Sequence, residues 1–595
     1  MTRRLVAGLL GGILLVTAAG CGIPDNTEVR IEGPGPATEA GASSGGRVEP
    51  PGRTASDSPA EFVENFLSAA AGEPDGAYDR VRQFIDSADR SRLPHKQGSE
   101  VALTVIRLLE QPKIVTAPDE IRVTLKVQQV GQLGADGVLA PPEATTTSYE
   151  FGLRPIVQEA SEKTNWFVVD PPPVPLLSVQ ALETYYTPRT IYFWSTDRRR
   201  LVPDQRYLPR AVPNDRQVTE VVRWLIGGPS AWLRKSASPL PDRPRLINNA
   251  TRTDDRWEVN LDMPGDDSTR LELLGTQLAH SLPELDGQLE LKVGNQSRLV
   301  IDDLQQRREA LPVYQLGSEP PQPFCVYEGA VHPLQYADPA DVPVPVAEVA
   351  NTGVVSASFS RSGQRVLAAL VVAGGNGRQH LSAGFGTAPV ASFSRSAGSF
   401  RKMGRPVWLR SADPQAPTGL VVGDGRLYRF DGRANLHEVQ LAVPGAVTAV
   451  AASLDGHRTA VIAGGGLYVA SVGQEGDGLT FGPPRRLPTS LTGLTAVDWY
   501  DENRLVVAGS NGQPAIYEVG VDGVRETELQ ATGATVTHLS AYPANPAARF
   551  GMVLYEANRV AFRGFPSERI ERAQVGGVDD ASARSGDPTV PFFLY

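Results

Sequence analysis

VVSASFS (residues 354–360), RPVWLR (405–410), AVTAVAAS (446–453), LTAVDWY (494–500) and VTHLSAY (536–542) are five stretches of one kind, short runs of alternating apolar character. With Phe359, Leu409, Ala452, Trp499 and Ala541 as register marks, they recur at steps of 50, 43, 47 and 42 residues. Each is followed by a turn such as Ser362-Gly363-Gln364 or Asp455-Gly456-His457. A second strand comes next (366–372, 459–462), then a glycine-rich hairpin and a third strand (425–429, 466–470). Four short strands per step of about 45 residues is the pattern of a β-propeller blade. Residues 320–595 have room for about six blades, five of them visible as repeats. The sixth is expected to pair Phe324-Cys325-Val326-Tyr327 with Pro591-Phe592-Phe593-Leu594-Tyr595, which joins the two ends of the domain and removes the open sheet edge.

Upstream of the ring the pattern changes to α+β. Ser58-Pro59-Ala60-Glu61 reads as a helix start, with Ser58 as cap, Pro59 in the first turn and Glu61 closing a capping box. Phe62, Val63, Phe66, Leu67 and Ala70 follow at helical spacing, and 77–85 gives a second short helix. Strands are expected at 121–127, 146–157 and 165–169, and Pro171-Pro172-Pro173 is read as the end of this unit. Two helices and then a curved sheet resemble an NTF2-like domain. Next come a strand at 190–194, a turn at 195–199, a helix at 215–226 stopped by Gly227-Gly228-Pro229, a strand at 257–262, a helix at 271–282 and a strand at 289–293. That order of elements resembles a GerMN domain over residues 187–303.

The N-terminus is read as a secretory address. Arg3 and Arg4 precede thirteen apolar residues, 5–17, too short for a membrane span. Ala18-Ala19-Gly20-Cys21 then resembles a lipobox, with Ala18 where leucine is commoner. Signal peptidase is expected to recognise Ala18, Ala19 and Gly20, leaving Cys21 to carry the lipid. Between 31 and 58, Gly, Pro, Ala and Ser fill 18 of 28 positions, so that segment forms no core and reaches about 30 Å as a tether. The expected organisation is a signal peptide at 1–20 and a tether at 21–57, then an NTF2-like domain at 58–175, a GerMN-like domain at 176–310 and the propeller at 320–595. The fold class is therefore multidomain, two α+β domains followed by an all-β propeller of about six blades.

Chemistry is sparse. The net charge of −10 argues against nucleic acid as a partner. Two cysteines give no disulfide framework, and Cys325 reads as a buried strand residue. The seven histidines show no metal-ligand spacing, and neither a Gly-x-Ser-x-Gly elbow nor a phosphate loop is present. Ser399-x-x-Lys402 has the spacing used by penicillin-binding proteins but strand-like surroundings, where lysine cannot be aimed at serine. Asp254-Asp255, Asp266-Asp267 and Asp302-Asp303 read as solvated turns. No catalytic residue, metal or cofactor is expected. Arg198, Arg199 and Arg200, with Arg189, Arg206 and Arg210 nearby, are either a solvated hairpin turn or a contact for an anionic partner.

Lipobox cysteine, tether, NTF2-like unit, GerMN-like unit and propeller, in that order, resemble the actinobacterial lipoprotein LpqB family across essentially the whole mature chain. The resemblance implies a non-enzymatic accessory protein held by lipid on the extracytoplasmic face of the cell membrane. It implies as partner the MtrAB two-component system, through the extracytoplasmic part of the sensor histidine kinase MtrB, with effects on cell division and cell-wall homeostasis. An envelope scaffold, or a protein that binds or modifies wall polymers, is the alternative.

Overall fold

The computed structural model describes residues 49–595 except 117–119, 143–144, 157–164, 241–243, 254, 264–266, 312, 314–320, 336–342, 411–415, 476–477, 543–551 and 579–585. Cys21 and the adjoining Ala18, Ala19 and Gly20 lie outside the described residues.

The first unit begins with helix Pro59–Ser68, capped by the Ser58 hydroxyl, which accepts from the Glu61 N–H. Glu61 departs from the expected box. Its carboxylate accepts from the N–H of Asp57 at 2.7 Å, one residue before the cap. Phe62 and Phe66 of this helix pack onto Trp166 and Phe151 of the sheet, and both meet Phe84 of helix Ala77–Phe84. The sheet runs Asn165–Val169, Thr146–Ile156, Ile121–Gly134, Ala102–Leu108 and Leu176–Ser178.

That last strand corrects the expected boundary at 175. The three prolines do not end the unit; they lie on the crossing from one edge of the sheet to the other. Leu176–Ser178 then pairs parallel with Ala102–Leu108. Leu176, Leu177, Ala181 and Leu182 join the first core, so this unit extends to about Tyr186.

The second unit is built on hairpin Tyr186–Trp194/Leu201–Pro209 and on a sheet whose strands Arg256–Asp262 and Gln288–Val293 run parallel. Helix Ser268–Ser281 makes the crossover between these two strands. With helix Asn214–Gly227 it shares a core of Val221, Leu225, Val259, Leu274, Leu278 and Leu291.

From Gln322 onward the described strands form six blades. Four are separate sheets, whose innermost strands are Val407–Trp408, Val447–Ala452, Thr492–Trp499 and Val536–Tyr542. The other two meet in one sheet. Val354–Ser362 leads the first of these, and Thr589–Leu594 leads the closing one. As expected, Gln322–Tyr327 pairs antiparallel with Thr589–Leu594, Phe324 facing Phe592. The closing blade meets Val354–Ser362 through the bridge of Phe359 with Leu594 and through backbone bonds from the Val354 N–H to the Gly329 carbonyl (2.7 Å) and the Arg361 N–H to the Tyr595 carbonyl (2.5 Å). Side chains add to these. Phe592 stacks on Phe324 at 5.8 Å and meets Phe359 edge-on at 5.2 Å, all three rings buried.

Phe592→Ala empties the centre of that cluster. Its expected cost is about 3–5 kcal/mol in chemical unfolding, with faster amide exchange at 322–327 and 354–362 than in the four separate blades.

Candidate functional site

Two places in the described chain collect polar side chains, the propeller axis and the seams between the three units.

At the axis, Asp498, on the innermost strand of its blade, accepts from Arg405 Nη2 (2.8 Å) and the Ala541 N–H (3.0 Å) through one oxygen. Its other oxygen accepts from the Trp499 N–H (3.0 Å). The Tyr595 hydroxyl lies 3.3 Å from the first of these oxygens and also reaches the Ala541 carbonyl. Arg405 Nη1 donates to the Ser540 hydroxyl (3.1 Å), and the Arg410 guanidinium sits 5.1 Å from the Tyr595 ring centre. Burial works against the Arg405 charge, but Asp498 and Tyr595 outweigh it and hold the guanidinium above its ordinary range. Burial and Asp498 raise Tyr595, and burial and Arg405 push His538 down to about 3. Tyr595 therefore keeps its proton and His538 stays neutral, so neither can cycle a proton near neutrality. The cavity beside this cluster is about 30 Å³, room for a single water.

The seams are more extensive. Propeller loop 520–526 enters both upstream units. Its Val524 is buried in the first unit's core. Arg107 of the first unit donates to the Gly523 and Val524 carbonyls (2.7 and 3.0 Å) and pairs with Glu526 at 3.2 Å. From the second unit, Tyr207 donates to Asp522 at 2.5 Å and Gln205 to the same oxygen at 3.0 Å. Burial first, then the Asp522 charge, holds the Tyr207 hydroxyl well above its ordinary value, which keeps it a donor.

A second contact runs along the hairpin. Tyr192 donates to Glu502 at 2.7 Å, and Asn503 donates to Thr190 at 2.8 Å. A third uses close backbone approach. The Ser471 hydroxyl donates to the Trp232 carbonyl (2.6 Å), and a Cβ on Gly473 would stand 2.0 Å from the Lys235 carbonyl oxygen, so only glycine fits. Between the first two units, Arg216 pairs with Glu73 at 3.0 Å and Tyr186 donates to the Gly72 carbonyl at 3.2 Å.

The arginines singled out from sequence separate in space. Arg189 pairs with Glu284, and Arg206 is buried against Asp204 and the Gly228 carbonyl. Arg210 donates to backbone carbonyls. Arg198, Arg199 and Arg200 remain at the hairpin tip, the first two exposed and the third half-buried. Cys325 is buried in its strand with its thiol pushed up by desolvation, the opposite of an activated nucleophile. Ser399 accepts from Arg378 in irregular chain, without a helix to aim Lys402. Asp267 and Asp303 cap helices. Among the described residues no group of His, Cys, Asp or Glu is arranged to hold a metal, and no helix is long and apolar enough to cross a membrane.

Sequence reasoning missed the seam residues Arg107, Tyr207, Glu502, Asp522 and Glu526. Each pairs across 300 residues or more, and Val521-Asp522-Gly523-Val524 looks like any hairpin turn.

Two α+β units locked to a six-bladed ring make a multidomain β-propeller protein with a GerMN-like central module. Residues 52–183 match the family described as "Lipoprotein LpqB, N-terminal domain", and 334–552 match "Lipoprotein LpqB beta-propeller domain". Residues 190–298 match "Sporulation and spore germination". The chain belongs to the lipoprotein LpqB family. Lipoprotein LpqB of Rhodococcus opacus (strain B4) is 24% identical over 578 residues, covering 90% of each chain. The Mycolicibacterium smegmatis protein is 25% identical over 558 residues (88% of this chain, 89% of that one). That of Mycobacterium tuberculosis (strain CDC 1551 / Oshkosh) is 24% identical over 533 residues (84% and 87%).

Two outcomes test the seams. Gly523 has φ +79°, and a Cβ there would meet Pro488 Cδ at 2.5 Å. Gly523→Val is expected to displace the loop and speed amide exchange in both 102–108 and 201–209, while the blades keep their protection. Burial raises the Glu502 carboxyl to about 7, with Asp501 and Asp455 adding to the push and Tyr192 and Arg458 opposing it. The folded chain thus holds this proton more tightly than the unfolded one, and stability falls as pH rises from about 4.5 through 7. Glu502→Gln, which can still accept from Tyr192, is expected to flatten that slope and raise the melting temperature at pH 8 relative to pH 5.

Proposed function

We propose that this chain is a membrane-anchored extracytoplasmic lipoprotein, acylated at Cys21, that acts by contact and makes no bonds. Its partner is the extracytoplasmic part of the sensor kinase MtrB, through which it modulates the MtrAB system and so cell division and wall homeostasis. Membership of the LpqB family supports the lipid anchor. The observation that carries the contact reading is the state of the polar clusters. Asp498, Asp522 and Glu526 each accept from several donors inside the protein, leaving them poorly placed to act on a substrate.

The physics of a tethered partner fits this reading. Confinement to the membrane surface raises the local concentration of both proteins, so a weak interface is enough. The kinase changes state only if its two conformations are bound unequally, and a body whose units are locked together loses little freedom on binding.

One feature favours a second reading, an envelope protein that binds wall material. A groove of about 450 Å³ lies in the first unit, lined by Leu67, Arg107, Leu108, Gln180 and Tyr185 among others, a size that accommodates a small ligand.

The test has two parts. Labelled palmitate is expected to enter the wild-type protein and not Cys21→Ser. The acylated protein is expected to retain the MtrB extracytoplasmic domain well above an unrelated lipoprotein and to change kinase autophosphorylation in mixed vesicles. No retention and no change in phosphorylation would refute the regulatory reading.

A further inference from the structure

We propose that Arg198, Arg199, Arg200, Arg234 and Lys235 form a docking surface for an anionic lipid bilayer; this rests on the lipid-anchor reading above. The five cations lie on two loops that are fixed against each other. In the hairpin turn, Ser195 and Arg200 exchange backbone contacts (Ser195 N–H to the Arg200 carbonyl, 2.8 Å), and the Arg200 N–H donates to the Ser195 hydroxyl (3.1 Å). Arg198 is held at φ +57°, a conformation that a side chain of its size rarely adopts. The neighbouring loop follows the short helix Ala231–Leu233. It is joined to the turn by the Thr196 N–H to the Ser236 carbonyl (3.0 Å), the Ser238 N–H to the Trp194 carbonyl (2.8 Å) and a bridge between Ser195 and Ala237. Four of the five side chains are exposed and Arg200 is half-buried.

They differ in pairing from most arginines of this unit. Elsewhere in this unit Arg189, Arg206, Arg216, Arg223, Arg256 and Arg307 all pair with carboxylates. None of the five has an ion-pair partner among the described residues. The one acid in the turn, Asp197, directs an oxygen to the Ser195 hydroxyl (2.5 Å) and the Arg199 N–H (3.1 Å). In a chain of net charge −10 these five cations thus share one edge without a carboxylate partner among the described residues. On a body of net negative charge such an edge favours approach of an anionic surface and biases orientation. Four of the five are arginine, whose planar fork suits phosphate oxygens.

The bilayer is the polyanion within reach. On the lipid-anchor reading only residues 22–57 separate Cys21 from the first unit, which keeps the body near the headgroups. Strand Tyr186–Trp194 carries the tip about 30 Å from the Tyr186–Gly72 contact with the first unit.

The experiment uses the full acylated protein floated with vesicles of phosphatidylcholine alone or with added phosphatidylglycerol, reading amide exchange at 195–200 and 231–237. Flotation with neutral vesicles reports the anchor; loop protection confined to anionic vesicles and abolished in 0.5 M salt reports the surface. At about fivefold per cation, R198N/R199S/R200S is expected to lower the protection about a hundredfold. R234S/K235S is the second variant should the turn fail to form, with a loss of about 25-fold. Flotation with anionic vesicles only supports the surface and refutes the anchor. Flotation with both and equal exchange refutes the surface and leaves the anchor standing. Flotation with neither refutes both. Protection by soluble polyphosphate or by the kinase domain, with none on anionic vesicles, overturns the assignment to lipid.

Discussion

The arrangement of the three units depends on one short propeller loop, residues 520–526, that is shared by all of them. Val524 lies in the hydrophobic core of the first unit although it belongs to the ring. Two residues earlier, Asp522 receives Tyr207 and Gln205 from the second. Removing one partner from such a buried set leaves the other's polar atoms without water or protein to bond, which costs more than the pairing itself contributes. Relative motion of the units would break several of these contacts together. The junction is accordingly stiff in the sense that no single bond can yield without exposing its partner.

The same principle runs through the ring. Arg405 and Asp498 neutralise each other at the axis, and Asp455 pairs with Arg458, whose guanidinium lies 4.7 Å from the Trp499 ring centre. Apart from Arg458 Nη1, which has no hydrogen-bond partner, these groups are satisfied inside the protein. One group of cations without ion-pair partners among the described residues lies on an outward edge of the central module. Polar chemistry is therefore divided between an interior that holds shape and a surface open to other molecules.

How much of this could be read beforehand depended on the range of the interaction. Blade strands were legible because alternation at 354–360 or 536–542 is set by each strand's own two faces. The closing pair 322–327 with 589–594 was legible despite its separation, since a ring needs its last edge covered. The end of the first unit was misplaced at the prolines. Proline forbids a ladder where it stands, but it does not prevent the chain from rejoining the same sheet five residues later, as Leu176–Ser178 does. The seams were illegible because an Asp-Gly turn looks the same whether its carboxylate meets water or Tyr207. The cation edge was half legible. Three arginines in a row are visible in sequence, while Arg234 and Lys235 join them only through the pairing of Ser195 with Ala237.

Closing the ring with Thr589–Leu594 as the innermost strand of the last blade imposes an order in time. The chain is made from its N-terminal side, so Gln322–Tyr327 waits with one edge unpaired until some 260 residues later have followed. Throughout that interval Phe324 and Phe359 lack their aromatic partner, and the half-built cylinder offers a sticky flank to other nascent chains. Protection from aggregation would therefore matter most in the last moments of synthesis, when five blades stand complete and the sixth is still arriving.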